Sequence, residues 1–291
     1  MNLIAILIGL GIERFLGSLE DYRRFDWFVQ FTDWVYLRLE GQGWRDGPLG
    51  VLLVIGPPVL LVWLVNHGLH GLTPLLSFLF GIAVLLYAIG PKDLARDAEG
   101  YIDAIERGDS EGGYWFAAEV LEGDVTGVVP AEVAQQVQDA VLVKSNDRLL
   151  GVLFWFFVLG PLGAILYRLA CVLRRHTAED SSAFGRYARN LHALLLWPVA
   201  RLTVLGYALS GSFMETFGHW RALSELWEWD SERLLVNSGR GALRQQLPEG
   251  GYSTDDEPDV EAVKDAVALV NRTVIVWLTA LALLTVVGWV S

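Results

Sequence analysis

Three stretches of this chain carry no Asp, Glu, Lys or Arg: Gly47 to Pro91, Leu149 to Tyr167 and Thr273 to Ser291. A helix needs about 20 apolar residues to cross about 30 Å of hydrocarbon. The first stretch is long enough for two spans, and each of the others for one. In the first, Val51–Val65 and Leu72–Ile89 predict a helical hairpin turning at Asn66-His67-Gly68-Leu69-His70-Gly71, with Pro57-Pro58 kinking its first arm. Asn190 to Met214 is apolar again apart from Arg201 beside Pro198.

Between these stretches the spacing is helical. Phe25, Phe28, Phe31, Val35 and Leu39 mark one face of an amphipathic helix, which suits a membrane surface or packing beneath other helices equally. Pro91 and Lys92 open a helix carrying Leu94, Tyr101, Ile102 and Ile105, broken by Gly108 and Gly112-Gly113. Tyr114–Leu121 predicts a short helix. Pro130 starts another, with Val133, Val137, Ala140 and Val141 in step, that runs through Lys144–Arg148 into the apolar block. Arg107-Gly108-Asp109-Ser110 reads as a capped turn. Neither strand-like alternation nor an internal repeat is present. The pattern predicts an all-α, polytopic membrane protein with kinked or re-entrant helices. Its segments are 1–46 (short apolar plus amphipathic helix), 47–90 (transmembrane hairpin), 91–148 (cytoplasmic helical), 149–214 (membrane-embedded), 215–265 (cytoplasmic, polar) and 266–291 (C-terminal transmembrane helix).

Composition agrees. The 291 residues are 53% hydrophobic and 19% charged, against about 25% charged in a soluble domain. Net charge is −12, which excludes a nucleic-acid partner, since phosphates demand clustered Lys and Arg. The acidic excess, as at Asp255, Asp256, Glu257, Asp259 and Glu261, reads as solvated surface. Cys171 is the only cysteine, so no intrachain disulfide or Cys-rich metal site is expected. Met1–Ile12 lacks a basic n-region and an Ala-x-Ala site, and reads as a partly inserted helix rather than a removable signal.

The positive-inside rule sets up a conflict. If every block after the N-terminus crosses, Arg174, Arg175, Arg186 and Arg189 sit alone in a short external loop. If the blocks holding Gly160-Pro161 and Pro198–Arg201 are re-entrant or broken, all arginine-rich segments are cytoplasmic. The second version is preferred, and Pro91–Arg148 is cytoplasmic in both.

Candidate chemistry centres on a few polar residues in apolar surroundings. An inserted Arg201 would face a cavity or a carboxylate; an interfacial helix would place it among headgroups. Arg168 either snorkels or shares an anion site with Arg201. Asn146-Asp147-Arg148 is a helix-end cluster or the rim of a ligand pocket. His67 and His70 lack further ligands for a metal. No P-loop, Ser/His/Asp triad or Cys/His pair stands out. The candidate ligand-binding residues are Arg168, Arg201, Tyr167, Asn146, Asp147 and Trp155, with no catalytic residue, metal or cofactor expected.

The stretch Asn146-Asp-Arg-Leu-Leu-Gly-Val-Leu-Phe-Trp-Phe-Phe-Val-Leu-Gly-Pro-Leu-Gly-Ala-Ile-Leu-Tyr-Arg168 resembles the signature of AmpE, within the wider CobD/AmpE group of membrane proteins. Trp197-Pro-Val-Ala-Arg-Leu-Thr203, Ile12-Glu-Arg-Phe15 and Gly239-Arg-Gly-Ala-Leu243 are similar to other AmpE blocks, so the likeness covers essentially the whole chain. It implies an inner-membrane signalling modulator rather than an enzyme, linked to β-lactamase induction and peptidoglycan-fragment sensing. The partners implied are the lipid bilayer, an AmpD-like amidase, cell-wall fragments and a small anionic ligand. The CobD branch, which makes an amide bond in cobalamin assembly, has acidic stretches that read differently here: Lys144-Ser-Asn-Asp-Arg-Leu, Leu169-Ala-Cys-Val-Leu-Arg-Arg175 and Asn190-Leu-His-Ala-Leu-Leu-Leu196. These departures argue against cobalamin synthase activity. An enzyme or carrier for an anionic small molecule on a CobD-like scaffold is the alternative.

Overall fold

In a computed structural model, residues 2–16, 25–43, 45–89, 94–222, 230–244 and 257–286 are described. Among them every regular element is a helix: α1 (Asn2–Leu16), α2 (Asp26–Arg38), α3 (Pro48–Leu72), α4 (Pro74–Ala88), α5 (Leu94–Glu106), α6 (Ser110–Leu121), α7 (Pro130–Ser145), α8 (Gly151–Leu159), α9 (Pro161–His176), α10 (Ala183–Ser210), α11 (Phe213–Ala222), α12 (Ser231–Ala242) and α13 (Val260–Val286). A π-helical turn, Asn146–Leu150, joins α7 to α8. Among the described residues three helices are long and apolar enough to cross a membrane: α3, α10 and α13. The all-α membrane architecture expected from the apolar blocks is therefore present.

The chain divides into two compact units, residues 1–91, 147–197 and 284–291 in one and 92–146 and 198–283 in the other. In the first unit α3 and α4 pack on α9, α1 packs on α4, and α2 packs on α3 and α9. Only 22% of the apolar window of α3 is buried inside the protein. Its outward Leu60, Leu61, Trp63 and Leu64 are exposed, as a lipid-facing helix requires.

The hairpin differs from expectation in one respect. α3 runs through Asn66–Gly71 as helix, and the reversal falls at Thr73 before Pro74. Leu-rich flanks carry the two small glycines, and Pro74 supplies the stop. His67 stacks on Trp63 at 5.4 Å between ring centroids.

Gly160-Pro161 does break the third apolar block. Gly160 adopts φ +65°, and α8 and α9 pack back on each other. A Cβ on Gly163 would sit 2.1 Å from the carbonyl oxygen of Trp155, so only glycine permits this approach. The other suspected break is absent: α10 continues through Pro198.

The second unit is built on a Val- and Ala-rich core of Tyr101, Ile102, Ala117, Val120, Val133, Val137 and Val263. Gly108 (φ +75°) ends the helix before it, while Gly112 and Gly113 lie inside α6 rather than breaking it. Asp109 caps α6, accepting from the Gly112 amide at 2.9 Å. Lys144 donates to the carbonyls of Val120 and Leu121 at 2.9 and 2.8 Å. That places a cation where the α6 dipole is negative. Arg240 on α12 makes a two-pronged pair with Asp139 on α7, at 2.8 and 2.9 Å. Burial lifts the Asp139 carboxyl above its ordinary range, with Arg240 opposing the rise. The expected C-terminal span starts earlier than predicted, at Val260. Pro91, Lys92, Trp227, Trp229, Asp255 and Asp256 lie outside the described residues.

Candidate functional site

The first unit holds a buried polar centre around one carboxylate. Asp147 enters from the π turn, and α9 presents Tyr167, Cys171 and Arg174. These residues are four and three positions apart and so share one helix face. α10 contributes His192. Tyr167 donates to Asp147 Oδ1 at 3.2 Å, His192 Nε2 lies 2.9 Å from the same oxygen, and Arg174 Nη2 donates to Oδ2 at 2.9 Å. Cys171 Sγ lies 3.9 Å from the Asp147 carbonyl oxygen.

Local sequence explains the placement. The π turn inserts extra backbone per turn, a device common at functional positions, and it fixes where Asp147 points. Tyr167 reaches the carboxylate because residue 151 is glycine: a Cβ there would come within 2.2 Å of the Tyr167 ring. Trp155 donates to the Leu195 carbonyl at 3.0 Å, tying α8 to α10 beside the centre.

Electrostatics favour an ionised Asp147. Burial alone would raise its carboxyl, but the neighbouring His192, Arg174 and Arg175 outweigh that and hold it well below the usual carboxylate range. Arg148 and Arg175 lie within electrostatic reach of Arg168, as does Asp147. Asp147, Arg148, Arg168 and His192 are all at most 4% exposed. Arg148, Arg168, Arg174 and Arg175 thus lie around Asp147, the first two buried from water and the other two partly exposed.

Asp147, Cys171 and His192 offer an oxygen, a sulfur and a nitrogen within 4.8 Å of one another. A divalent ion would have to displace the bonds that Tyr167, His192 and Arg174 make to the carboxylate.

Of the residues expected from sequence, Asp147, Tyr167 and Arg168 come together in this unit. Trp155 lies in the same unit as the helix clamp just described. Asn146 and Arg201 belong to the second unit. There Asn146 accepts from Thr203 at 2.7 Å and donates to the Leu142 carbonyl at 3.3 Å. Arg201 donates to the Ser231 hydroxyl at 3.1 Å. Arg168 is 1% exposed, so it is buried rather than snorkelling. Sequence reasoning missed His192, Arg174 and Cys171; a Cys/His pair that does not stand out in the sequence, Cys171 with His192, is brought within 4.8 Å by the fold. His192 read as one polar residue in an apolar run, and Cys171 as an isolated thiol. Only the residue pattern 167, 171, 174 carried a signal.

These features define an α-helical membrane protein with an Asp-His-Arg centre buried among its helices. The chain belongs to the CobD/Cbib protein family, whose model matches residues 6–241. It is 30% identical over 251 residues to the cobalamin biosynthesis protein CobD of Chromobacterium violaceum, covering 80% of this chain and 79% of that protein. It is 29% identical over 258 residues to the cobalamin biosynthesis protein CobD of Stutzerimonas stutzeri strain A1501, covering 83% of each. No solved structure matches.

The family and both relatives overturn the expected role as an AmpE-like modulator of β-lactamase induction and peptidoglycan-fragment sensing. An AmpD-like amidase and cell-wall fragments lose their support as partners with it. That expectation gave weight to three short stretches where CobD-type acids are missing. Similarity over four-fifths of the chain outweighs them, and the fold gathers one acid, Asp147, with a histidine and arginines where those stretches lie.

Proposed function

We propose that this chain is a membrane-embedded enzyme of cobalamin biosynthesis that takes up an anionic small molecule at the Asp147 centre. The observation that carries this reading is the buried cluster of Asp147, Tyr167, Arg174 and His192, with Arg148 and Arg175 close by. Arg174, Arg175 and Arg148 supply the attraction for the anion. The His192 imidazole, hydrogen-bonded to Asp147, carries the positive charge that helps hold this carboxylate ionised, so it is suited to give a proton to the leaving group as an amine displaces it. That role fits the amide-forming step implied by resemblance to the CobD branch. A carrier would need the anion site but not the Asp147–His192 pair, which is why catalysis is preferred.

The same reading places the protein in the bacterial cytoplasmic membrane as a multi-pass protein, with Pro91–Arg148 facing the cytoplasm. Arg174, Arg175, Arg186 and Arg189 support that side by the positive-inside rule. The reversal at Gly160 supports a re-entrant α8–α9 hairpin.

The test is complementation. The chain is expressed in a Chromobacterium violaceum strain lacking its CobD, and cobalamin is measured in cells grown without it. Restoration by the native chain, and loss with His192→Gln at equal abundance in the membrane fraction, is expected. Failure of the native chain to restore cobalamin, despite normal membrane abundance, refutes the proposal.

A further inference from the structure

The Asp147 carboxylate is closed off from water on most sides. Tyr167 and Cys171 are fully buried, and Arg148, Arg168 and His192 are nearly so. An anion approaching from solvent meets none of these groups in the packed structure.

Arg174 is the exception. Its Nη2 donates to Asp147 Oδ2 at 2.9 Å while its side chain is 27% exposed. Of the three described side chains that bond this carboxylate, it alone reaches from the buried centre to solvent. It stands in the last turn of α9, followed by Arg175 and His176. Beyond that turn the contacts are polar. Arg189 donates to the carbonyls of Thr177 and Asp180 at 2.9 and 3.0 Å, and His176 pairs with Asp33 at 2.7 Å. The C-terminal end of α9 is therefore an aqueous end, and its cations draw anions to the place where Arg174 emerges.

Chemistry favours an exchange there. A guanidinium presents its N–H donors in a planar fork that matches phosphate and carboxylate oxygens. When an incoming oxyanion takes the place of Asp147 Oδ2, the charge on Arg174 stays compensated. Asp147 keeps Tyr167 and His192 on Oδ1. No buried charge is stripped of every partner, which is the costly event in a dry site. Arg148 and Arg168 lie too deep to meet the anion first.

We propose that Arg174 is the entry subsite for the substrate's anionic group: it passes from Asp147 Oδ2 to a phosphate or carboxylate arriving at the C-terminal end of α9. This rests on the reading of the Asp147 centre as an anion-binding site, and adds its mouth and its first contact.

Cys171 reports on the route. It is the only cysteine, it is fully buried, and it lies three positions before Arg174 on the same helix face. The full chain in mild detergent is treated with sulfonatoethyl methanethiosulfonate, a water-soluble anion, and labelling is followed by mass spectrometry. Arg174→Ala should label about tenfold faster than native or more, because opening the route no longer breaks a charge-assisted bond. Melting temperature is then measured in phosphate, acetate and chloride at equal ionic strength. Phosphate or acetate should raise it above chloride in the native chain, and the one that does so names the group. Arg174→Ala should weaken the apparent affinity for that oxyanion about tenfold or more. Arg186→Ala, which removes an exposed arginine of α10, should match native in both assays. Should the alanine variant not fold, Arg174→Lys, which keeps the charge without the fork, should lose most of the oxyanion stabilisation. His192→Gln should keep that stabilisation, so failure of the proposed activity and failure of this subsite are told apart. Three results overturn the proposal: neither oxyanion stabilises the native chain above chloride, replacing Arg174 leaves that stabilisation unchanged, or Cys171 in folded Arg174→Ala labels no faster than in native.

Discussion

Replacing Asp147 tests the centre most directly. The carboxylate spends both oxygens: Oδ1 on Tyr167 at 3.2 Å and His192 at 2.9 Å, Oδ2 on Arg174 at 2.9 Å. Its side chain and that of His192 are 2% and 3% exposed, so this pair is shielded from water, whereas Arg174 at 27% is partly screened. Removing one member of a buried pair costs about 3–5 kcal/mol, because the partner's charge is left uncompensated. Asp147→Ala should therefore lose that amount, reduced somewhat by the screening of Arg174. Asp147→Asn keeps the shape and one acceptor oxygen, while its amide nitrogen must face a donor, so it should lose at least the about 1.5–3 kcal/mol of charge assistance yet less than alanine. The order native, Asn, Ala is the prediction. It is measured by unfolding the purified protein in mixed micelles of rising denaturing-detergent fraction, with far-UV circular dichroism as the signal. Asp103→Ala, at an exposed position, serves as the reference and should stay within about 0.5 kcal/mol of native. If Asp147→Ala unfolds with the Asp103 variant, the buried centre contributes nothing and the electrostatic reasoning is wrong.

Gly151→Ala should destabilise by about 1–3 kcal/mol, since the new methyl meets the Tyr167 ring and one of them must move; an unchanged melting temperature would show that the ring does not lie there. Cys171 is fully buried, so a maleimide should leave it unlabelled in the folded protein and modify it fully in dodecyl sulfate; rapid labelling in the native state would contradict the packing of α9. Asp139 holds its proton more tightly folded than unfolded, because burial outweighs the pull of Arg240. Its contribution to stability is therefore largest below the unfolded value of about 3.9 and declines as pH rises above it. Asp139→Asn should flatten that decline in a pH series of unfolding midpoints, and an unaltered slope would refute it.

Much of this fold was readable in the chain because bilayer insertion writes itself into composition. Charge-free blocks announced α3, α4 and α13, Pro130 announced α7, and Gly160-Pro161 announced the reversal between α8 and α9. Where reading went astray, a local signal competed with a longer one. The glycines and histidines of Asn66–Gly71 look like a turn but sit in helix, because the apolar run continues past them to Pro74. Pro198 looks like a break but is tolerated in α10. The candidate site was half legible. Asp147, Tyr167 and Arg168 stand out as polar residues in apolar surroundings. His192 and Arg174 matter only through their distance to Asp147, which is set by helix packing and leaves no mark in spacing. Family likeness was visible too, yet short motif spellings drew the function toward the wrong branch of the group.

The π turn at Asn146–Leu150 has a consequence for how this gene tolerates change. A turn that holds one residue more than an α-helix would is poised to shed it. Losing a single codon there would let the segment relax to ordinary helix while α8 keeps its facing, because the π turn already absorbs the extra residue. Gly151 would stay under Tyr167, and the change would fall on Asp147, whose direction the turn sets. A one-residue deletion within the turn should therefore spare the packing of α8 on α9 and cost the buried centre alone.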